Sequence, residues 1–123
     1  MKMKMLIGIQ FKRMQYKQGD IVLVPFPFSN QSDSKKRPAL VISGNYMNNT
    51  SDIMLVQITK ETRKDKFSVN LPTSELSIPL NFISEIRCHK ILVADKSLIV
   101  KTISTASNII VENVKNKIIE ILR

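Results

Sequence analysis

Apolar positions in the first half of the chain fall in short dense runs, not at helical spacing. Ile21-Val22-Leu23-Val24 is continuous and rich in β-branched residues, the pattern of a strand buried on both faces. Pro25 and Pro27 follow in Pro-Phe-Pro-Phe and cannot donate to a ladder, so the strand is predicted to end or run along an edge there. Residues 29–36 read as a polar, glycine-free loop. A second strand is predicted over 39–43, a turn-rich segment over 45–52, and a third strand over 53–59, Ile-Met-Leu-Val-Gln-Ile-Thr. Residues 60–66 form a charged, exposed connection, and 67–71 alternate as Phe-Ser-Val-Asn-Leu, a strand with one wet face. Pro72 and Pro79 bracket a loop. A weaker strand pattern runs over 80–91, and Asp95-Lys96-Ser97 reads as a turn or short helix start.

The C-terminal segment changes period. Ser107 is a predicted helix N-cap, after which Ile110, Val111, Val114, Ile118, Ile121 and Leu122 recur at helical spacing. Lys115, Lys117 and Arg123 lie toward the negative end of that helix dipole. Five or more short strands and one terminal helix point to a mostly β fold, a small antiparallel barrel with a C-terminal α-helix. A doubly wound α/β fold would need helices between the strands.

The length of 123 residues predicts one domain, and 43% hydrophobic residues suffice for one core. Residues 1–17 read as an N-terminal extension, poorly ordered or preceding a later start such as Met14, with the domain over 18–123. Nineteen Lys and Arg against 10 Asp and Glu give a net charge of +9. That excess suits polyanionic partners, nucleic acid or an acidic protein segment, although a lysine-rich surface kept for solubility gives the same count. Cys88 and His89 are the only cysteine and histidine. They make neither an intramolecular disulfide nor a zinc site, and they fit a reducing cytoplasm. No apolar run approaches the ~18 residues of a membrane span. No metal or other cofactor is expected.

Candidate chemistry centres on residues 19–43, where two strands hold a loop ending in Lys35-Lys36-Arg37-Pro38. Arg37 stands where loop becomes strand, and its guanidinium fork can grip two phosphate oxygens. Charge pattern alone leaves it equally a solvated arginine or a partner of Asp33. Thr59, followed by Lys60, ends its strand with a hydroxyl that can donate to an anionic oxygen, or it is simply a β-former. Ser84, Arg87, His89 and Lys90 form a polar stretch in a strand-like segment, and His89 is the one imidazole able to titrate near neutrality. Phe26 and Phe28 suit either base stacking or core packing. Glycine-rich phosphate loops, dinucleotide fingerprints, paired-histidine metal motifs and nucleophile elbows are absent from the sequence.

The order Gly19-Asp20 before the first strand, Arg37-Pro38 leading into the second, Ile58-Thr59 closing the third, and Asp95-Lys96-Ser97-Leu98 late resembles the MazF/PemK family of toxin endoribonucleases from about Gln18 onward. The resemblance implies an SH3-like barrel with a C-terminal helix, usually a homodimer, that cleaves single-stranded RNA without a metal. It implies inhibition by a cognate antitoxin with a disordered, often acidic tail. It places the catalytic pair on Arg37 and Thr59 and a further functional serine on Ser84; Lys35, Lys36, Lys60 and Lys90 are expected to contact RNA with it. Lys90-Ile91-Leu92-Val93 stands where many members carry Gln-Ile-Arg-Thr, and the first loop lacks the family's glycines. CcdB-like proteins, which share the barrel but bind gyrase, and a non-catalytic nucleic-acid binder of the same fold are the alternatives. The Arg37/Thr59 pair favours the nuclease.

Overall fold

The computed structural model describes residues 15–25 and 35–123, so the predicted loop over 29–36 lies mostly outside the described residues, as do Phe26, Phe28 and most of the N-terminal extension. Six strands form one antiparallel sheet: β1 Asp20–Pro25, β2 Lys36–Val41, β3 Asp52–Thr59, β4 Ser68–Leu71, β5 Ser84–Asp95 and β6 Lys101–Thr105, in the order β4-β5-β3-β2-β1-β6. A short helix, α1 Asn45–Asn48, occupies the turn-rich segment, and the terminal helix α2 spans Asn108–Ile121. Ser107 caps α2 as predicted, its Oγ accepting from the Ile110 amide at 3.4 Å.

The sheet curls until its two ends meet. Leu76, just beyond β4, bridges Ala106, just beyond β6. The Ser77 amide donates to the Thr105 carbonyl at 2.9 Å, and Ser104 Oγ donates to the Ile78 carbonyl at 2.7 Å. This join satisfies polar groups that an open edge would expose. Gly19 turns the chain into β1 at φ 102°, and a Cβ there would stand 3.3 Å from Val111 Cγ2. Only glycine meets both demands without strain.

The apolar run of β1 is buried on both faces, as its pattern implied. Ile21, Leu40, Val56, Ile58 and Ile86 pack with Ile110, Val111 and Val114 of α2. Val22, Val24, Ala39, Val41, Ile53 and Leu55 form a second cluster on the opposite face. Tyr16 packs against that cluster.

The structure differs from the sequence reading in three places. β2 begins at Lys36, ahead of the predicted 39, because β1 pairs it out to Lys36. Pro38 is tolerated there because pairing with β3 starts only at Ala39, so no bond on that side needs its missing N–H. β5 starts at Ser84, not 80, and runs past 91 to Asp95, through residues whose apolar and polar positions do not alternate cleanly. β6, Lys-Thr-Ile-Ser-Thr, was not anticipated; it has few apolar residues and is specified by its pairing to β1.

Candidate functional site

The β2–β3 ladder pairs Val41 with Leu55, Leu40 with Val56 and Ala39 with Gln57. Two residues further on, the same register sets Arg37 opposite Thr59, on the face that carries the second cluster and away from α2. The strands no longer pair there, and a cavity of about 410 Å³ opens, lined by Arg37, Gln57, Thr59, Glu61, Arg63, Arg87, His89 and Lys90. A second hollow of about 300 Å³, lined in part by Lys35, Lys36 and Lys60, shares Arg37, Thr59 and Glu61 with the first. The two meet at the Arg37–Thr59 pair as one groove whose charged lining is mostly cationic.

Thr59 is fixed by its own turn: its Oγ accepts from the Glu61 amide at 3.1 Å, which leaves the O–H to donate elsewhere. Among the described residues the Arg37 side chain has no ion pair and no hydrogen bond, while its backbone is held in the ladder opposite Val24; the residue is half-buried.

The far wall comes from β5. Val56 pairs with Ile91 but Gln57 with Arg87, so Cys88, His89 and Lys90 bulge where β3 advances a single step. Bulges of this kind re-aim side chains beside functional sites. Arg87 joins this wall to an ionic cluster that runs from the buried Glu85 to Asp65 at the surface. Arg87, 8% exposed, donates from Nη1 to both Asp65 oxygens at 3.1 and 3.0 Å and to Ser68 Oγ at 2.7 Å, and lies 3.6 Å from Glu85. Glu85 is wholly buried and accepts from the Arg63 amide at 2.7 Å, the Lys64 amide at 3.3 Å and Ser68 Oγ at 2.9 Å. Lys64 holds a φ of 52°, unusual for a residue with a side chain; its amide bond to Glu85 helps anchor that turn beside the cavity. Burial pushes both carboxyls up, but the hydrogen bonds, first from Arg87 to Asp65 and from the Arg63 amide to Glu85, outweigh it and hold each below its ordinary value.

His89 lies on the bulge with its ring centroid 4.5 Å from that of Phe67 and its Nε2 3.5 Å from Arg87 Nη2. Desolvation, then the charges of Arg87 and Lys90, depress its pKa against a smaller opposing pull from Asp65. Cys88, its neighbour, points into the core, where burial pushes the thiol up to about 12.

Arg37, Thr59, Lys35, Lys36, Lys60 and Lys90 therefore all line the groove. Ser84 does not: it is 2% exposed, and its Oγ donates to the Phe82 carbonyl at 3.2 Å. Strand parity puts it with Ile86 and Cys88 on the core side, opposite Glu85 and Arg87. Gln57, Arg63 and the ionic cluster were missed in sequence. The alternation Glu85-Ile86-Arg87, charged residues flanking a core position, was the available signal. Among the described residues, no group of three or more His, Cys, Asp or Glu side chains is placed to hold a metal ion. No described helix is long and apolar enough to cross a membrane.

The sequence pattern of the PemK-like, MazF-like toxins of type II toxin-antitoxin systems matches residues 17–122. No curated protein matches the chain. Among solved structures, a mycobacterial endoribonuclease in complex with its cognate antitoxin is similar at TM-score 0.72 and 15% identity, over 88% of this chain and 95% of that one. MazF from Deinococcus radiodurans is similar at TM-score 0.70 and 21% identity, over 87% and 96%. A MazE-MazF structure from the same organism matches at TM-score 0.70 and 21% identity, over 87% and 95%. At these identities the likeness is one of fold.

Proposed function

Because the chain belongs to the PemK-like, MazF-like toxins of type II toxin-antitoxin systems, we propose that it is a metal-independent endoribonuclease that cuts single-stranded RNA at the groove between β2 and β3. The observation that carries this reading is the Arg37–Thr59 pair at the meeting point of two cation-lined hollows. The 2′-hydroxyl attacks its adjacent phosphorus, the bond to the 5′ oxygen breaks, and the products are a 2′,3′-cyclic phosphate and a 5′-hydroxyl. Charge grows on the non-bridging oxygens as this happens. The Arg37 guanidinium and the Thr59 O–H stabilise it, and donors set in place beforehand are worth ~3–4 kcal/mol each in such a transition state. Guanidinium nitrogens only donate, so Arg37 acts through charge and hydrogen bonds. The need for a 2′-hydroxyl makes DNA resistant at the cut.

Lys35, Lys36, Lys60 and Lys90 contact the RNA backbone in this proposal, and Ser84 fixes the Phe82 carbonyl beside the groove. The active form is a homodimer in a reducing cytoplasm, inhibited by a cognate antitoxin whose acidic segment lies over the groove. A solved relative is bound to its cognate antitoxin, and the +9 charge favours rapid capture of such a segment. Incubating the purified protein with a long single-stranded RNA in EDTA, then mapping the ends, tests the reading. Cyclic phosphate and 5′-hydroxyl ends support it, and intact RNA contradicts it.

A further inference from the structure

Arg37 and Thr59 supply charge and a hydrogen bond, but neither takes the proton that leaves the attacking hydroxyl. Two groups of the cavity could take it: the Glu61 carboxylate, exposed and paired with Arg63 at 3.5 Å, and His89 on the wall facing them, whose ring lies against Phe67 and Arg87. We infer that His89 is a catalytic residue of the cleavage, its Nε2 accepting the 2′-hydroxyl proton while Arg37 and Thr59 hold the phosphate. The inference rests on the endoribonuclease reading above.

The geometry comes first. His89 lines the same cavity as Arg37 and Thr59, although the sequence separates it widely from both. The β5 bulge presents it there at the surface, with its ring against that of Phe67 at 4.5 Å and its Nε2 3.5 Å from Arg87 Nη2. A guanidinium nitrogen only donates, so Nε2 accepts, and the neutral ring carries its proton on Nδ1. At 3.5 Å that hydrogen bond is near its outer limit and weak, so a substrate hydroxyl can replace it. Arg87 is itself immobilised by Asp65, Ser68 and Glu85.

The surrounding charges suit a base. Arg87 and Lys90 of β5 face the ring, with Asp65 and Phe67 of the β3–β4 connection; Lys66 lies 5.7 Å from the Phe67 ring, and Arg37, Glu61 and Arg63 line the cavity. Desolvation and the flanking cations lower the imidazole's pKa, which favours the neutral form a base needs. In the step, the O2′–P bond forms, the P–O5′ bond breaks, His89 takes the 2′ proton, and the 5′ oxygen takes one from solvent. The imidazolium then releases its proton to solvent, returning the enzyme to its starting state.

As the only histidine in the chain, His89 gives a single set of imidazole signals in NMR, and its pKa can be read without assignment. The ascending limb of kcat/KM against pH, measured on a short RNA, should have its midpoint within half a unit of the NMR midpoint. His89→Gln should lose ~10²–10⁴-fold in kcat with that limb abolished, KM little changed and the melting temperature kept. Asp65→Asn removes the carboxylate that favours the imidazolium, so both midpoints should move together to lower pH. A His89→Gln variant with kcat within about threefold of wild type, or one that keeps the ascending limb, overturns the inference. If wild type cleaves, Arg37→Ala does not and His89→Gln does, only the role of His89 falls. If wild type leaves RNA intact, the endoribonuclease reading falls and takes this inference with it.

Discussion

Arg37 and Thr59 stand opposite each other across β2 and β3 at the point where the strands cease to pair. Pro38, with no N–H to offer β3, lies between Arg37 and the last paired residue, so backbone pairing ends where the two side chains share the groove. Thr59→Val keeps the shape and the β-propensity and deletes the O–H. Single-turnover cleavage should slow by ~10²–10³-fold while RNA affinity changes little. A variant that cuts at the wild-type rate would remove Thr59 from the mechanism.

Glu85 is a buried carboxylate whose partners are the turn at Arg63 and Lys64, Ser68 and Arg87. Glu85→Ala leaves Arg87 with less compensation and frees the turn. Removing one member of such a cluster costs about 3–5 kcal/mol, readable as a shift in the urea midpoint. The same variant should blur the NMR signals of His89, because Arg87 contacts both residues. A urea midpoint within error of wild type would show that the cluster carries no stability.

Acid should loosen the same cluster. In the unfolded chain Asp65 and Glu85 titrate near 3.8 and 4.5, and in the fold both values are lowered. Unfolding therefore takes up protons as pH falls through that range, and the stabilisation complete at neutral pH drains away below about pH 5. His89 adds to this sign from about pH 6.5 downward, since its folded value is also depressed. Melting temperature followed from pH 7 to pH 3 should fall throughout, and Glu85→Gln should flatten its lower part.

Lys35, Lys36 and Lys60 flank the groove from the β2 and β3 ends. Each lysine that meets a phosphate releases counterions, so changing one to Gln should reduce the slope of log K against log salt by ~0.7 for single-stranded RNA. Binding measured with the Arg37→Ala protein, which should not cut, gives this slope cleanly. An unchanged slope for all three would move the RNA path elsewhere.

Much of this was legible in the chain because the informative residues sit on strands whose apolar runs are unmistakable. The β1 run, the Ile-Thr end of β3 and the capped terminal helix form as their local patterns dictate. The Arg37–Thr59 pairing follows once two antiparallel strands are accepted in register. The β5 bulge was not legible: nothing in Arg-Cys-His-Lys distinguishes a regular strand from one that loops out three residues, and the bulge delivers His89 to the cavity. Ser84 faces the core because it shares the parity of Ile86 and Cys88, which the weak apolar pattern of this segment does not make plain in sequence. β6 went unseen since its side chains are mostly polar and its partner β1 supplies the stabilisation.

The most direct measurement compares wild type with Arg37→Ala on one long single-stranded RNA, in EDTA, with the melting temperature of both proteins recorded. Wild type should cut to 2′,3′-cyclic phosphate and 5′-hydroxyl ends, and Arg37→Ala, equally well folded, should lose at least ~10²-fold in rate. Equal cutting by a folded Arg37→Ala protein, or no cutting by wild type, would contradict the assignment of the groove as the site of RNA cleavage.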